Sequence, residues 1–368
     1  MTHRERWNNV WQYKPVDHVP DEEFGYWDDT LRDWRAQGLP DHVTDNGVAD
    51  RFFGFAPRAG VWTHQGLIPE FESKVLEEDD RHRIIVDGSG VKHLVNKDGA
   101  SSIPRYLEFP VKDRATWEAF REHLNPDDPA RQLPEDQWRQ HVEHLNASEA
   151  PVILGTGSLF GWLRNWAGFE GIAMLCLDDP DLVEEMIEHL CTFIMKTIER
   201  AAREVTIDGM SFWEDMAFKN GPMISPKLFR QWMTPRYQRI TDLVRRHSPH
   251  AIAFVDCDGN VMQLVEHWLA GGVNCMFPVE VAAGSDPHAM RRLWGKDVLL
   301  MGGVNKRSLA GTKADIDREV DGLLDLVAQG GFIPHVDHRV PPDVSYDNYR
   351  YYLKRKREAA GIPEPEEG

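Results

Sequence analysis

The chain has 368 residues, 41% hydrophobic and 28% charged, with a formal charge of −18. That balance suits a large folded core and excludes a disordered chain. The charge opposes phosphate backbones and anionic lipid, so nucleic-acid and membrane partners are not expected, while a pocket with local Arg or Lys still admits an anionic substrate. No stretch is apolar and long enough to span a bilayer, and Met1-Thr2-His3-Arg4-Glu5-Arg6-Trp7 does not read as a secretory signal. Cys176, Cys191, Cys257 and Cys275 are too sparse for a disulfide framework and contain no Cys-x-x-Cys pair, so the expected address is cytoplasmic.

Up to about residue 148 the chain is rich in Trp, Asp, Arg and Pro, with few clean helical periods. Arg83 to Val95 predicts a hairpin with Asp87-Gly88 as its turn, serving as a flap or an edge. From Pro151 onward strand and helix signals alternate. Val152-Ile153-Leu154-Gly155 predicts a strand, and Asp181 to Leu190 keeps an apolar stripe at helical spacing. Ser225-Pro226-Lys227 opens a helix, with Ser as cap and Pro in the first position, and Lys313 to Val320 opens another. The tail Pro363-Glu364-Pro365-Glu366-Glu367 is expected to fray. The alternation predicts a mostly parallel sheet with outer helices.

Five apolar runs each stop at a polar cluster: Met210 to Asp215, Ala253 to Gly259, Asn274 to Glu280, Leu299 to Lys306 and Phe332 to His338. Buried parallel strands read as continuous apolar runs, and in a (β/α)₈ barrel chemistry gathers where they end. Strand ends near Gly155, Glu214, Asp258, Glu280, Asn305 and His338 are therefore expected to share one mouth.

The strings Ser225-Pro226, Asp258-Gly259-Asn260, Pro278-Val279-Glu280, Gly302-Gly303-Val304-Asn305-Lys306 and Asp337-His338-Arg339-Val340-Pro341-Pro342 resemble the uroporphyrinogen decarboxylase superfamily. So does Ser102 to Asp113. The match is nearer to the corrinoid-dependent methyltransferase-like branch than to the decarboxylases. The resemblance implies one distorted (β/α)₈ TIM-type barrel domain over 1–368. Residues 1–148 would give early strands, hairpin and cover, and 149–360 the strand–helix repeats. The decarboxylase carries an Arg-rich loop near its N-terminus for a polycarboxylate. Here Asp21-Glu22-Glu23-Phe24-Gly25-Tyr26-Trp27 stands in that place, which removes the main electrostatic requirement of that activity.

The methyltransferase branch holds zinc with a His-x-Cys pair before a Gly, plus a later Cys. Alignment on Gly259 puts Asp256 at the His position and Asp258 at the Cys position, with the last ligand near His338. The resemblance thus implies a metal site of Asp256, Asp258, Glu280 and His338, with Glu214 or His335 as further candidates. It would hold zinc or a harder divalent ion. Asp258, His338 and Glu214 become the candidate catalytic residues, and Tyr26, Trp27 and Asn305 the candidate cofactor contacts. The implied chemistry is metal activation of a small methylated donor, O-methyl or methoxyaromatic, for attack by reduced cobalamin. No Asp-x-His-x-x-Gly signature occurs, so the cobalamin would ride on a separate corrinoid protein. A homodimer is left open.

Each residue also has a structural reading. Asp258-Gly259-Asn260 makes a strand-to-helix turn with Asp as cap, and Glu214-Asp215 pairs with an Arg or a neighbouring loop. His338 bridges barrel carbonyls, His335 packs within its strand, and Lys306 caps a helix or pairs with an acid. Gly302-Gly303 also reads, less well, as a phosphate-binding turn. Strand alternation turns Cys257 away from its flanking aspartates. Trp27, Phe160, Trp162 and Trp213 fall at loop or strand ends and suit an aromatic ligand. A decarboxylase of a uroporphyrinogen-like or smaller carboxylated substrate is the alternative activity, and a tetrapyrrole-binding or corrinoid-binding barrel without chemistry is the third reading.

Overall fold

A computed structural model describes residues 1–97 and 104–365. Seven strands pair in chain order, all parallel: β1 (Ala59–Val61), β2 (Val152–Gly155), β3 (Gly209–Trp213), β4 (Ile252–Asp256), β5 (Cys275–Phe277), β6 (Leu299–Val304) and β7 (Phe332–Val336). Parallel neighbours need crossovers, and helices such as Pro180–Glu204, Thr234–Arg245 and Lys313–Gln329 supply them. The result is the expected TIM-type barrel.

Period-2 alternation divides each strand between two cores. Leu154, Met210, Phe212, Val255, Met276 and Leu300 face outward into the large cluster under the helices. Ile252, Phe254, Cys275, Leu299, Met301 and Ile333 face inward, where Trp7, Val10 and Trp11 join them. Those three come from the helix His3–Trp11, which starts on a Thr2–Glu5 capping box and plugs one end of the barrel. Gly209 faces the plug. A Cβ there would lie 2.8 Å from Trp7 Cη2 and 2.9 Å from Ile153 Cδ1. We expect Gly209→Ala to lower unfolding free energy by about 1–3 kcal/mol through overpacking. Urea titration measures this, and an unchanged midpoint contradicts it.

The gap between β7 and β1 is closed by residues 20–26, which run extended without forming a full strand. The Asp21 carbonyl accepts from Ala56 N at 2.8 Å, Glu23 Oε2 from Val336 N at 3.1 Å, and the Gly25 carbonyl from Val340 N at 2.9 Å. Tyr26 makes a single parallel bridge to Val340. Phe24 turns inward against Phe277, with ring centroids 4.7 Å apart. Asp21 and Glu23 turn outward onto the helix Tyr346–Ala360. There Lys356 Nζ meets Asp21 at 2.8 Å and Glu23 at 2.6 Å, Arg357 Nε meets Asp21 at 2.8 Å, and Tyr352 donates to Glu23 at 2.8 Å. Burial opposes the Asp21 charge, but Lys356 and Arg357 outweigh it and hold the carboxyl below its ordinary range. At Glu23 burial wins and raises the pKa.

This corrects the reading of Tyr26 as a cofactor contact. Its ring is fully buried, and its hydroxyl bonds to Tyr349 at 2.7 Å inside the core.

Four antiparallel strands, Lys74–Glu78, His82–Val86, Lys92–Asn96 and Arg105–Glu108, form the cover and contain the predicted hairpin. Its turn is longer than Asp87-Gly88: Asp87 Oδ1 accepts from Ser89 N at 2.9 Å and Val91 N at 3.1 Å. The turn leaves a cleft of about 610 Å³ against Trp162 and Trp166. Pro365 lies against Gly54, and Glu364 pairs with Arg357 at 3.4 Å, so this part of the tail is docked rather than frayed. Ser102, Ile103, Glu366 and Glu367 fall outside the described residues. Among the described residues no helix is long and apolar enough to cross a membrane.

Candidate active site

The mouth is built where β3 to β7 end. Alternation carries Ser211, Trp213, Phe254, Asp256 and Phe277 inward on β3, β4 and β5. Asp256 is enclosed beside Asp258 and Asp215, and burial first, then those two charges, pushes its pKa up to about 8. It therefore carries a proton at neutral pH.

His338 follows β7 and reaches the same place. Its Nε2 lies 3.1 Å from Asp258 Oδ2, and its Nδ1 lies 3.3 Å from the Arg339 carbonyl. Both partners can accept, an arrangement that the two N–H groups of an imidazolium satisfy. Burial pulls its pKa down, but the Asp258 bond and charge outweigh this and the net shift is upward. The other oxygen, Asp258 Oδ1, is buried without a partner. Trp27 covers the imidazole at 5.6 Å between ring centroids, Phe24 meets it edge-on at 5.8 Å, and the Arg339 guanidinium sits over Trp27 at 5.4 Å. Trp27 thus belongs to the site, as a wall of the acid pair.

Glu214 does not. It follows inward-facing Trp213, so it turns outward into the barrel wall and is fully buried. Its carboxylate accepts from Leu159, Phe160 and Gly161 N at 2.8, 2.8 and 2.9 Å, Ser158 Oγ at 3.0 Å and Tyr237 OH at 2.7 Å. It closes the orphan N–H groups at the start of the helix Gly161–Ala167. With its oxygens saturated it cannot bind metal or substrate, which corrects its assignment as a catalytic residue.

Asp215, next in sequence and at φ 49°, is the member of the pair that reaches the mouth. It meets Arg164 Nη2 at 3.2 Å and accepts from Asp258 N at 3.3 Å. Arg164 also stacks over Trp213 at 5.3 Å.

Glu280 is neutralised. Lys306 Nζ lies 2.8 Å away, and Gly259 N donates to it at 2.9 Å. Asp337, which the sequence reading passed over, accepts from Val281 N at 2.9 Å and Lys306 N at 3.0 Å, and burial raises its pKa to about 6. Asn305 caps the short helix Lys306–Leu309 with its side chain on Arg307 N at 3.1 Å, so its polar group serves the backbone rather than a cofactor. His335 is buried in β7, with Nδ1 2.8 Å from the Val336 carbonyl. Gly302 and Gly303 lie inside β6 and make no phosphate turn. A Cβ on Gly302 would fall 1.8 Å from the Pro278 carbonyl, so only glycine allows that approach. Cys257 faces away and accepts from Met216 N at 3.3 Å.

The model of the family described as Uroporphyrinogen decarboxylase (URO-D) matches residues 101–359. The chain belongs to the uroporphyrinogen decarboxylase family. Among solved structures it is similar in fold to a methyltransferase from Methanosarcina mazei. The TM-score is 0.61 at 14% identity, over 97% of this chain and 99% of that one.

Within this uroporphyrinogen decarboxylase barrel the expected metal shell is not assembled. Among the described residues no group of three or more His, Cys, Asp or Glu side chains is placed to hold a metal ion. The reason is local: both His338 nitrogens point at oxygens, and Glu280 is paired with Lys306. As placed, Asp256, Asp258, Glu280 and His338 satisfy their charges on one another and on Lys306 rather than converging on one point.

Proposed function

We propose that this protein moves a methyl group from a small methylated compound to a corrinoid carried by a separate protein, with proton donation activating the donor. The observation that carries the reading is the inward-facing Asp256 carboxyl beside the His338–Asp258 pair at the barrel mouth. A reduced corrinoid supplies the strong nucleophile that no side chain here provides. The buried thiols do not: desolvation pushes Cys257 well above its ordinary value and Cys191 up to about 12.

The residues of the chain then have defined tasks. As the methyl–heteroatom bond breaks, its electron pair stays on the heteroatom, which takes the proton from Asp256. His338, held by Asp258 and covered by Trp27, sets the charge beside Asp256, which regains its proton from solvent. Asp215–Arg164 and Glu280–Lys306 fix the loops on either side. A proton donor in this place also serves a decarboxylase, where it would protonate carbon after carbon dioxide leaves, so the two activities are separated by product.

The purified protein is assayed with methylated donors in corrinoid-free buffer, then with free cob(I)alamin or a reduced corrinoid protein added. Transfer is expected only in the second case. Turnover without corrinoid, or release of carbon dioxide from a carboxylated substrate, overturns the reading.

A further inference from the structure

We propose that the inside of the barrel is a binding site for a small aromatic carboxylate, with Arg58 on its floor as the anchor. The inference deepens the methyl-donor reading, and rests on it only in equating this ligand with the donor.

Arg58 precedes β1 and is enclosed by protein, yet 31% of its side chain is open, whereas its partner Glu22 is only 4% open. The exposure is therefore to an internal hollow. Glu22 holds the guanidinium side-on through Nε, at 3.2 Å, and Nη2. A guanidinium has five N–H donors in a planar fork, and Nη1 makes no hydrogen bond among the described residues. The floor thus offers one free donor edge.

Space above the floor comes from two glycines. Gly60 on β1 and Gly155 on β2 face inward and are exposed, and a Cβ on either meets nothing within 4 Å. The opposite wall is aromatic. Phe254 lies with its centroid 5.8 Å from the Arg58 guanidinium, Phe277 packs beside it at 6.1 Å, and half-buried Trp213 stands one position higher. The proposed ligand ring lies between the glycines and these side chains, with its carboxylate at Arg58 and its other end toward the mouth.

Charge does not oppose an anion there. Arg58 and Glu22 together are neutral, Asp215, Asp258 and Glu280 each have a cationic partner, and Asp256 is protonated. His335 beside Phe277 stays neutral, since burial lowers its pKa to about 3. At the floor an entering carboxylate meets no unpaired negative charge, Asp337 being held by the Val281 and Lys306 N–H groups at the mouth, and a charge-assisted bond to Nη1 is stronger than one to a neutral oxygen.

The test is calorimetric titration of the full-length protein with para-methoxybenzoate and with para-methoxybenzamide, its uncharged equivalent in shape. The carboxylate is expected to bind at least tenfold tighter. Arg58→Lys is expected to weaken the carboxylate at least tenfold while leaving the amide within about twofold. Gly155→Val places its side chain in open space, so it is expected to keep the native melting temperature and bind neither probe. Equal affinity for both probes, no binding by the native protein, or native affinity in Gly155→Val overturns the site. Binding is read without turnover, so it stands if methyl transfer fails and falls separately.

Discussion

Asp256→Asn is expected to melt later than the native protein and to turn over its donor at least ~10²-fold more slowly. Both effects follow from one raised pKa. A carboxyl moved from 3.8 to about 8 on folding binds its proton more tightly in the folded state. Such a group contributes stability that is full below 3.8 and is lost as pH rises toward about 8. At neutral pH the unfolded chain has released the proton and the folded chain has not, which lowers stability by about 4 kcal/mol at most. Asparagine removes the ionisation and with it this penalty, but it has no proton to transfer. Activity of the native enzyme should likewise fall as pH rises through about 8, when Asp256 ionises. Thermal unfolding and steady-state rates from pH 5 to 9 provide the check. A variant that is both less stable and fully active contradicts the assignment.

Glu214→Ala is expected to act in the opposite way, through folding. Five donors converge on this buried carboxylate, three from consecutive backbone N–H groups and two from hydroxyls. Truncation strands them inside the barrel wall, and each unsatisfied group costs about 1–3 kcal/mol before relaxation. A net loss of about 3–5 kcal/mol is expected, in the range where single substitutions threaten the native state. Glu214→Gln should recover part of it, since one amide oxygen still accepts. Equilibrium urea unfolding of both variants decides the matter. Near-native stability with abolished turnover would restore Glu214 to the catalytic set.

The contrast between these two acids shows what the sequence made legible. Apolar runs located the strands, because buried parallel strands are apolar on both faces, and the polar residues at their ends located the mouth. Which way each acid points depends on a count of two along the strand. Trp213 faces inward and Glu214 therefore faces out, a parity that a continuous apolar run disguises. That Lys306 pairs with an acid was among the structural readings of the sequence; that the acid is Glu280 was not. Asp337 was passed over because it stood beside the more conspicuous His338. Arg58 gave no local signal: it precedes a strand of three residues, and its partner Glu22 and neighbour Phe254 are distant in sequence. The acidic segment Asp21–Glu23 gave no sign of its partners for the same reason. Its cations, Lys356 and Arg357, arrive from the far side of the molecule.

That last arrangement bears on how the protein is made. The stave between β7 and β1 is held by ion pairs to residues 333 to 336 positions later in the chain. During synthesis the seven parallel strands can assemble one after another as they leave the ribosome. The early segment must wait for the helix Tyr346–Ala360 before Asp21 and Glu23 find their charges. Until then two carboxylates and the aromatic lining of the barrel stay open to water along an unzipped seam. Contacts of such long sequence separation form slowly, and an open parallel edge invites pairing with another chain. A ribosome that stalls late in this message therefore leaves a nearly complete barrel that is a better client for a chaperone than for its own substrate.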